Sequence, residues 1–531
     1  MLNSHSIRCR KKNGLGGSWL APHLAIAFLL CGATTTVAAA TRGEGTLSAT
    51  LADSQSGKPV HARVYLANGE TALLPRGFTA YDKLDERHIL VPPSFRISLP
   101  AGDYSIRIER GKEYYPLEES FTIEAETELT RNFKLKRWIN MESRGWYSGD
   151  LHIHRPAEAM TDTVLAEDLN VAPVITVHQW GPWDSRRKPV KMAQPLVQVD
   201  AKHLYTLNGY EIERIVQGPG AVLLYGLDLK FDPEGDELHP PASVLTRRAR
   251  EQGGHVDGDK VFWLDVPVNV ALSQIDSIEI ACNHFFPRGV DADLRPWASW
   301  KPEPEFEGNK GFALWIMDLY YKLLNCGFDL PVSGGSACGV KPLPVGYSRV
   351  YVKPEAPFSH DAFFTALKQG KSFSTNGPML NLKVNGQGMG SRIVFKRGLT
   401  LDLEATAEAA NPLDSLEIVV NGQVVESVPG DGSHSLRLRK SIKTRNSVWV
   451  AARAFEQSKQ TVVFGQTSPI HFLRNGVSVR VPADIRFWLN KVDQLIARAR
   501  TQEGFAAEAH RKATLQVYEL ARKIYADMLA E

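Results

Sequence analysis

The hydrophobic pattern of the chain changes period twice, and those changes constrain the fold more than any single motif does. From Gly45 to about Lys136 short segments alternate apolar and polar residues, as in Ala62-Arg63-Val64-Tyr65-Leu66 and Tyr104-Ser105-Ile106-Arg107-Ile108. Period-two segments bounded by turns such as Leu99-Pro100-Ala101-Gly102-Asp103 predict a small β-sandwich, with scaffolding or interaction as its default role. From Trp138 to about Gly377 continuous apolar runs alternate with helical segments. Ala172-Pro173-Val174-Ile175-Thr176-Val177 reads as a buried parallel strand ending at His178, and Gly311–Leu324 as a helix. That alternation predicts an α/β barrel-like domain, with ligands carried at the carboxyl ends of the strands. After Pro378 the strands return, with a hairpin signal at Asn421-Gly422, and predict a second β-sandwich. From Ala483 to Glu531 proline is absent, and Ile485, Trp488, Leu489, Val492 and Ile496 recur at helical spacing, so the tail is expected to dock as helix. The expected organisation is a segment at 1–40, a β-sandwich at 41–137, an α/β domain at 138–377, a β-sandwich at 378–476 and a helical tail at 477–531.

Bulk properties agree with an ordinary globular chain. At 531 residues, with 43% apolar and 23% charged residues, it is long enough for roughly three or four domains. A formal charge of +3 is too small for a chain built to neutralise a polyphosphate, so no nucleic-acid partner is expected. Arg8, Arg10, Lys11 and Lys12 precede an apolar stretch from Leu24 to Leu30, and small residues end at Ala38-Ala39-Ala40. That order predicts a secretory signal removed after Ala40, because the apolar stretch falls short of the ~20 residues of a membrane span. The mature chain is therefore expected to be exported, to periplasm or exterior, with no membrane span. Cys31 follows Leu30, where lipoprotein processing wants a small residue, so a lipid anchor is not expected. Cys282, Cys326 and Cys338 remain, permitting at most one disulfide; Cys326 and Cys338 flank a Gly-rich loop, but buried free thiols are the expectation.

The strongest chemical signal is Gly149-Asp150-Leu151-His152-Ile153-His154. On an extended strand both imidazoles project to one side and can grip one divalent ion. Asp150 shares that face, either to orient a histidine or to bind metal itself. His178, Glu211, His255 and His284 each follow an apolar run or, for His255, a Gly-Gly turn. Imidazole and carboxylate donors suit zinc, manganese or iron without choosing among them. Arg155, Lys260 and Arg288 read as solvated surface charges, and the aromatic stretch Trp315–Tyr321 as core.

These motifs, together with Phe262-Trp263-Leu264-Asp265-Val266-Pro267, Asn325-Cys326-Gly327-Phe328, Pro344–Val352 and Thr375-Asn376-Gly377-Pro378, resemble the PHP-type (polymerase and histidinol phosphatase) metallohydrolases, in their secreted carbaryl-hydrolase-like subgroup. The resemblance covers most of the mature chain. It implies an α/β fold, a distorted seven-stranded β/α barrel, here flanked by two β-sandwich domains and followed by the helical tail. It further implies that His152, His154, His178, Glu211, His255 and His284 are metal ligands. Where the family has Thr-Asp-His the chain has Thr176-Val177-His178, and where the last motif supplies a carboxylate it has Gly334-Gly335-Ser336-Ala337-Cys338-Gly339. Those losses imply one or two ions instead of three. A further acidic ligand is open among Glu158, Asp162, Glu167 and Asp168.

The expected function is an exported metal-dependent hydrolase that acts on a small-molecule phosphoester, carboxylester or carbamate by metal-activated water. His152, His154, Glu211 and His255 are expected to hold the principal metal, and His178 and His284 to complete a second site or to move protons as catalytic residues. The alternative is a catalytically degenerate fold that keeps metal for structure and serves as an extracellular binding or interaction module.

Overall fold

The computed structural model describes residues 43–179, 195–227, 231, 235–292, 294 and 298–530, so the expected signal segment lies outside the described residues. In the N-terminal region alternation becomes two packed sheets. Strand Glu44–Asp53 pairs antiparallel with Ser94–Pro100 and parallel with Glu128–Leu135. A second sheet runs in the order Thr79–Lys83, Glu86–Val91, Ala62–Asn68, Gly102–Glu109, Leu117–Ile123. Leu47, Leu51 and Ile97 from the first sheet meet Val64, Ile106 and Ile108 from the second in one buried cluster, which is what period-two strands need to hide their apolar faces.

In the central region Val171–Gln179 lies parallel to Leu204–Arg214, and Gly220–Tyr225 and His255–Asp257 follow antiparallel. On the other side Tyr147–Gly149 pairs with Arg349–Val352, which continues through Ser372–Thr375 and Phe464–Thr467 into Val448–Glu456 and Leu413–Val420. The result is one 14-stranded sheet that runs unbroken past position 377. A separate parallel pair, Ile278–Ala281 with Val332–Gly334, lies beside it. Single bridges tie the pair to the large sheet: Asp257 to Ser277 at one edge and Ile153 to Cys338 at the other, with Ile153 also bridging Val174. No ladder among the described residues closes a sheet into a barrel. The protein is therefore a strand-rich α/β fold of several sheets.

Helix Gly308–Asn325 packs under this arrangement, and Trp315 and Tyr320 are fully buried, Trp315 stacked on Phe262 with ring centres 5.4 Å apart. The tail forms helices Pro482–Thr501 and Glu508–Ala530, whose Ile485, Trp488, Val492, Ile496 and Tyr525 enter the same core. Asn325 joins three regions, accepting from Trp449 Nε1 at 2.8 Å and donating to Asn421 O and to Asp484 of the tail. Cys282, Cys326 and Cys338 are buried free thiols.

Candidate metal centre

The chain turns inward directly after Gly149. Asp150 is fully buried and accepts hydrogen bonds from the backbone N–H of His152 (3.0 Å), Ser336 (2.9 Å) and Gly346 (2.6 Å), and from the Ser336 hydroxyl. Burial raises its carboxyl above the ordinary range, while those donors, Ser336 first, pull it back. Asp150 is thus committed to holding residues 150–154 against the 336–346 loops, with Ile153 anchored between Val174 and Cys338. An amide in its place brings two donors to a pocket of donors. Asp150→Asn is expected to cost about 2–4 kcal/mol of stability, measurable as a lower denaturation midpoint, and to weaken metal retention indirectly.

With that segment fixed, three imidazoles converge on one carboxylate oxygen. His152 Nε2, His154 Nε2 and His178 Nε2 lie 3.6, 3.1 and 3.5 Å from Glu211 Oε2. Donors about 2.0–2.1 Å from a tetrahedral ion stand about 3.3 Å from one another, so these separations match the edges of such a site. The contacts are close yet mostly not aligned as hydrogen bonds: His152 Nδ1, His154 Nε2, Glu211 Oε2 and both oxygens of Glu279 are buried without a hydrogen-bond partner. Buried lone pairs left unpaired are costly, and one shared cation satisfies several of them together. His152 Nδ1 faces Asp259 Oδ1 at 3.3 Å and Glu279 Oε1 at 3.5 Å, so its two nitrogens look into different acidic compartments. His178 Nε2 also meets Glu213 Oε2 at 2.6 Å. Three donor groups result, His152–His154–Glu211, His152–Asp259–Glu279 and His178–Glu211–Glu213, linked through His152 and Glu211.

Charge points the same way. Glu211, Asp259 and Glu279 are buried and Glu213 is half-buried, against one ammonium, Lys260, whose Nζ is 2.5 Å from Asp259 Oδ1. Four carboxylates less one ammonium leave three negative charges when the imidazoles are neutral. Metal-free, the cluster balances them with protons. Burial pulls the His152 imidazolium down, but Glu211 and Glu279 outweigh it and hold its pKa well above the ordinary value; for His178, Glu211 and Glu213 outweigh burial and raise it to about 9. Burial likewise lifts Glu279 to about 8, against the opposing pull of His152. His154, burial again dominating, falls to about 4. A divalent ion replaces protons in such a cluster.

The predicted ligands fall into two sets. His152, His154, His178 and Glu211 are brought together; His255 and His284 are not part of the donor groups. The His255 ring meets Ser277 Oγ at 2.8 Å and packs on Phe364, because the short strand His255–Asp257 turns it toward helix His360–Lys368. His284 donates from Nδ1 to Asp291 O at 2.5 Å and lines the cavity above the cluster. The four open acidic positions all lie elsewhere. Glu167 pairs with Arg63, Asp168 with Arg110 and Arg137, Asp162 accepts from Thr79, and Glu158 is exposed; the first three fasten the N-terminal sandwich. Arg288 is a surface charge as expected, but Lys260 is buried in the cluster, the correction being its contact with Asp259.

Glu213, Asp259 and Glu279 join the donor groups from outside the ligand set expected from the sequence. Glu213 stands two residues after Glu211 on one strand, hence on the same face, and Glu279 sits between Ile278 and Ile280 in a buried strand; both patterns were readable. Glu279 also accounts for the glycines where a carboxylate was expected. A Cβ on Gly335 would lie 2.4 Å from Glu279 Oε1 and 2.4 Å from His152 Cβ, so the loop gives way to an acid arriving from the neighbouring strand. The cluster forms the floor of a cavity of about 810 Å³ whose walls include Lys260, His284, Lys341, Phe262 and Trp263.

Fold and site define a strand-rich α/β protein with a buried His/Glu/Asp cluster able to hold a metal ion at the base of an open cavity. The chain matches no protein-family model and no curated protein. Among solved structures it is similar to the minor pilin GBS52 of Streptococcus agalactiae, at 24% identity over 18% of this chain and 45% of that one, with a TM-score of 0.15. A likeness so slight carries no argument.

Proposed function

We propose that the protein is an exported, divalent-metal-dependent hydrolase of the PHP type, acting on a small phosphoester, carboxylester or carbamate. The observation that carries this reading is the convergence of His152, His154 and His178 on Glu211 beneath an open cavity. A structural metal site is closed by its protein ligands, whereas a catalytic one faces a space where substrate fits. The barrel reading is supported by the chain of pairings from residues 151–153 through Val171–Gln179, Leu204–Arg214, Gly220–Tyr225 and His255–Asp257, then across the Asp257–Ser277 bridge to Ile278–Ala281 and Val332–Gly334, and back through Leu151 N to Gly334 O at 3.1 Å. Export is supported by the order of charged, apolar and small residues before Ala40, and no described helix is long and apolar enough to cross a membrane.

His152, His154 and Glu211 would hold a first ion and His178, Glu211 and Glu213 a second; the third group, His152–Asp259–Glu279, already has the Lys260 ammonium on Asp259, so one or two ions are proposed. The nitrogen and oxygen donors suit zinc, manganese or iron. A divalent ion bound there supplies Lewis acidity, making water acidic near neutral pH and polarising the ester oxygen. The protein's own groups do the rest. Asp259 faces His152 Nδ1 and favours the tautomer that leaves Nε2 directed at Glu211. Lys260 stays protonated, because Asp259 and Glu279 more than offset its burial, and places a fixed positive charge beside the cavity for an anion developing during attack. His284, with Nδ1 donating to Asp291 O, keeps Nε2 as an acceptor. Burial first, then Lys260 and Lys341, lower its pKa to about 4, so it is neutral at working pH and accepts a hydrogen bond from water or substrate.

The test is elemental analysis of the purified chain combined with a panel of phosphoesters, carboxylesters and carbamates. Bound metal with turnover on one class is the expected result. Stoichiometric metal with no turnover on any class favours the binding-module alternative, and absence of metal defeats both.

A further inference from the structure

The N-terminal sandwich reaches the cavity with one hairpin. Strands Thr79–Lys83 and Glu86–Val91 join through two residues, Leu84 and Asp85, and Asp82, Lys83 and Leu84 stand in the cavity wall. The hairpin is fastened to the loop that forms the adjoining wall. Tyr81 Oη donates to Lys341 O at 2.6 Å and accepts from Gly339 N at 3.0 Å, Lys83 Nζ donates to Gly339 O at 2.7 Å, and Asp85 pairs with Arg288 at 2.9 Å. Tyr81 shares a core with Ile153, the residue between the two ligand histidines, and with Val174 and Cys338. The hairpin tip is therefore held in register with the floor of the site.

At that tip Leu84 is anomalous in two respects. It is 78% exposed, more than any other large apolar side chain among the described residues. Its φ is +54°, in the left-handed region that two-residue hairpins ordinarily give to Gly, Asn or Asp. Folding alone favours a polar, turn-forming residue here on both counts, and the leucine stands at the wall of the cavity. Across the cavity Ile215, Leu294 and Val340 line the wall with apolar side chains, backed by the buried rings of Phe262 and Trp263, while the cluster supplies the polar floor.

We propose that Leu84 is a specificity-determining residue. It covers the apolar part of a substrate whose ester group lies on the histidine floor, so the N-terminal sandwich forms part of the substrate site. The inference rests on the metal-dependent hydrolase reading. Its test uses ligands that are not hydrolysed: calorimetric titration of the metal-loaded full chain with methylphosphonate and with phenylphosphonate. The unsubstituted chain is expected to bind the phenyl compound about tenfold more tightly or better, since a ring then leaves water. In Leu84→Ala and Leu84→Asn that preference is expected to fall by about three- to tenfold with methylphosphonate affinity unchanged. Leu84→Asn, suited to the left-handed turn, is expected to raise Tm by about 1 °C at the same time. An unchanged phenyl preference in both variants overturns the proposal and leaves Leu84 as a strained turn residue. A parallel loss of methylphosphonate binding also overturns it, by showing a structural role. If the unsubstituted, metal-loaded chain binds neither phosphonate, this proposal is overturned, whereas the hydrolase reading stands or falls separately on turnover of the phosphoester, carboxylester and carbamate panel.

Discussion

Glu211→Gln is expected to purify with little metal and to lose about 10²–10⁴-fold in turnover, the largest effect of any single substitution in the cluster. The substitution keeps shape and volume, so packing around strand Leu204–Arg214 is preserved and the fold is expected to survive. It removes the charge from the group that all three imidazoles approach and puts an NH2 donor in place of one carboxylate oxygen, so His152 and His178 lose the anion they depend on. A turnover loss of that size corresponds to about 3–5 kcal/mol of transition-state stabilisation. Glu213→Gln is the control. Its carboxylate touches His178 alone among the histidines, so it is expected to disturb the second donor group and spare the first. Metal content by elemental analysis, beside the Tm of each variant, separates lost ligation from unfolding; full metal occupancy in Glu211→Gln would contradict the assignment.

Chelation is expected to lower Tm, and the gap between metal-loaded and metal-free protein is expected to widen as pH rises from about 5 to 9. A ligand at a thousand times its dissociation constant stabilises by about 4 kcal/mol, on the order of 4 °C for a chain of this size. The pH sense follows from the direction of each shift. His178, raised from 6.5 to about 9, contributes stability to the metal-free protein that is fully present below 6.5 and is lost as pH rises through 9. Glu279, raised from 4.5 to about 8, acts in the same sense between those values. Glu211, lowered by His178 and His152 against its burial, opposes them on the acid side, where stability is lost as pH falls below the ordinary carboxylate range. His154, lowered by burial from 6.5 to about 4, gains stability between those values and offsets Glu279 there, so the cluster of the metal-free protein loses stability chiefly above pH 6.5, as His178 and Glu279 titrate. Metal uptake displaces those protons and strengthens with pH; about one to two protons should be released per ion at pH 7, measured by calorimetry in buffers of different ionisation enthalpy. Binding without proton release would show that the ion sits elsewhere.

Much of the donor set was legible because strand geometry is local. Two residues apart on an extended segment means one face, which made His152 and His154 a pair and would have added Glu213 to Glu211. The aromatic helix and the docked tail were legible for the same kind of reason, since Trp315 and Trp488 sit on periodic apolar stripes. His255 lies outside the donor groups, because a place directly after the Gly253-Gly254 turn says where its strand begins, but not which side of that strand faces the site.

By itself, then, the sequence determined the strands, their apolar faces, the tail and the histidine pair, all consequences of periodicities of two and 3.6 along the chain. Only the tertiary structure decided which charges meet. Asp259 and Glu279 come from different segments and reach His152 across gaps of more than a hundred residues, and Asp259 carries its neighbour Lys260 into the cluster. Asp150 spends its oxygens on Ser336 and Gly346 instead of on a metal, and Glu158, Asp162, Glu167 and Asp168 are kept from the site by the sandwich or by solvent. The physical reason is that a buried charge is stable only beside its compensating charge, and that pairing is settled by how strands pack, not by their spacing in the chain.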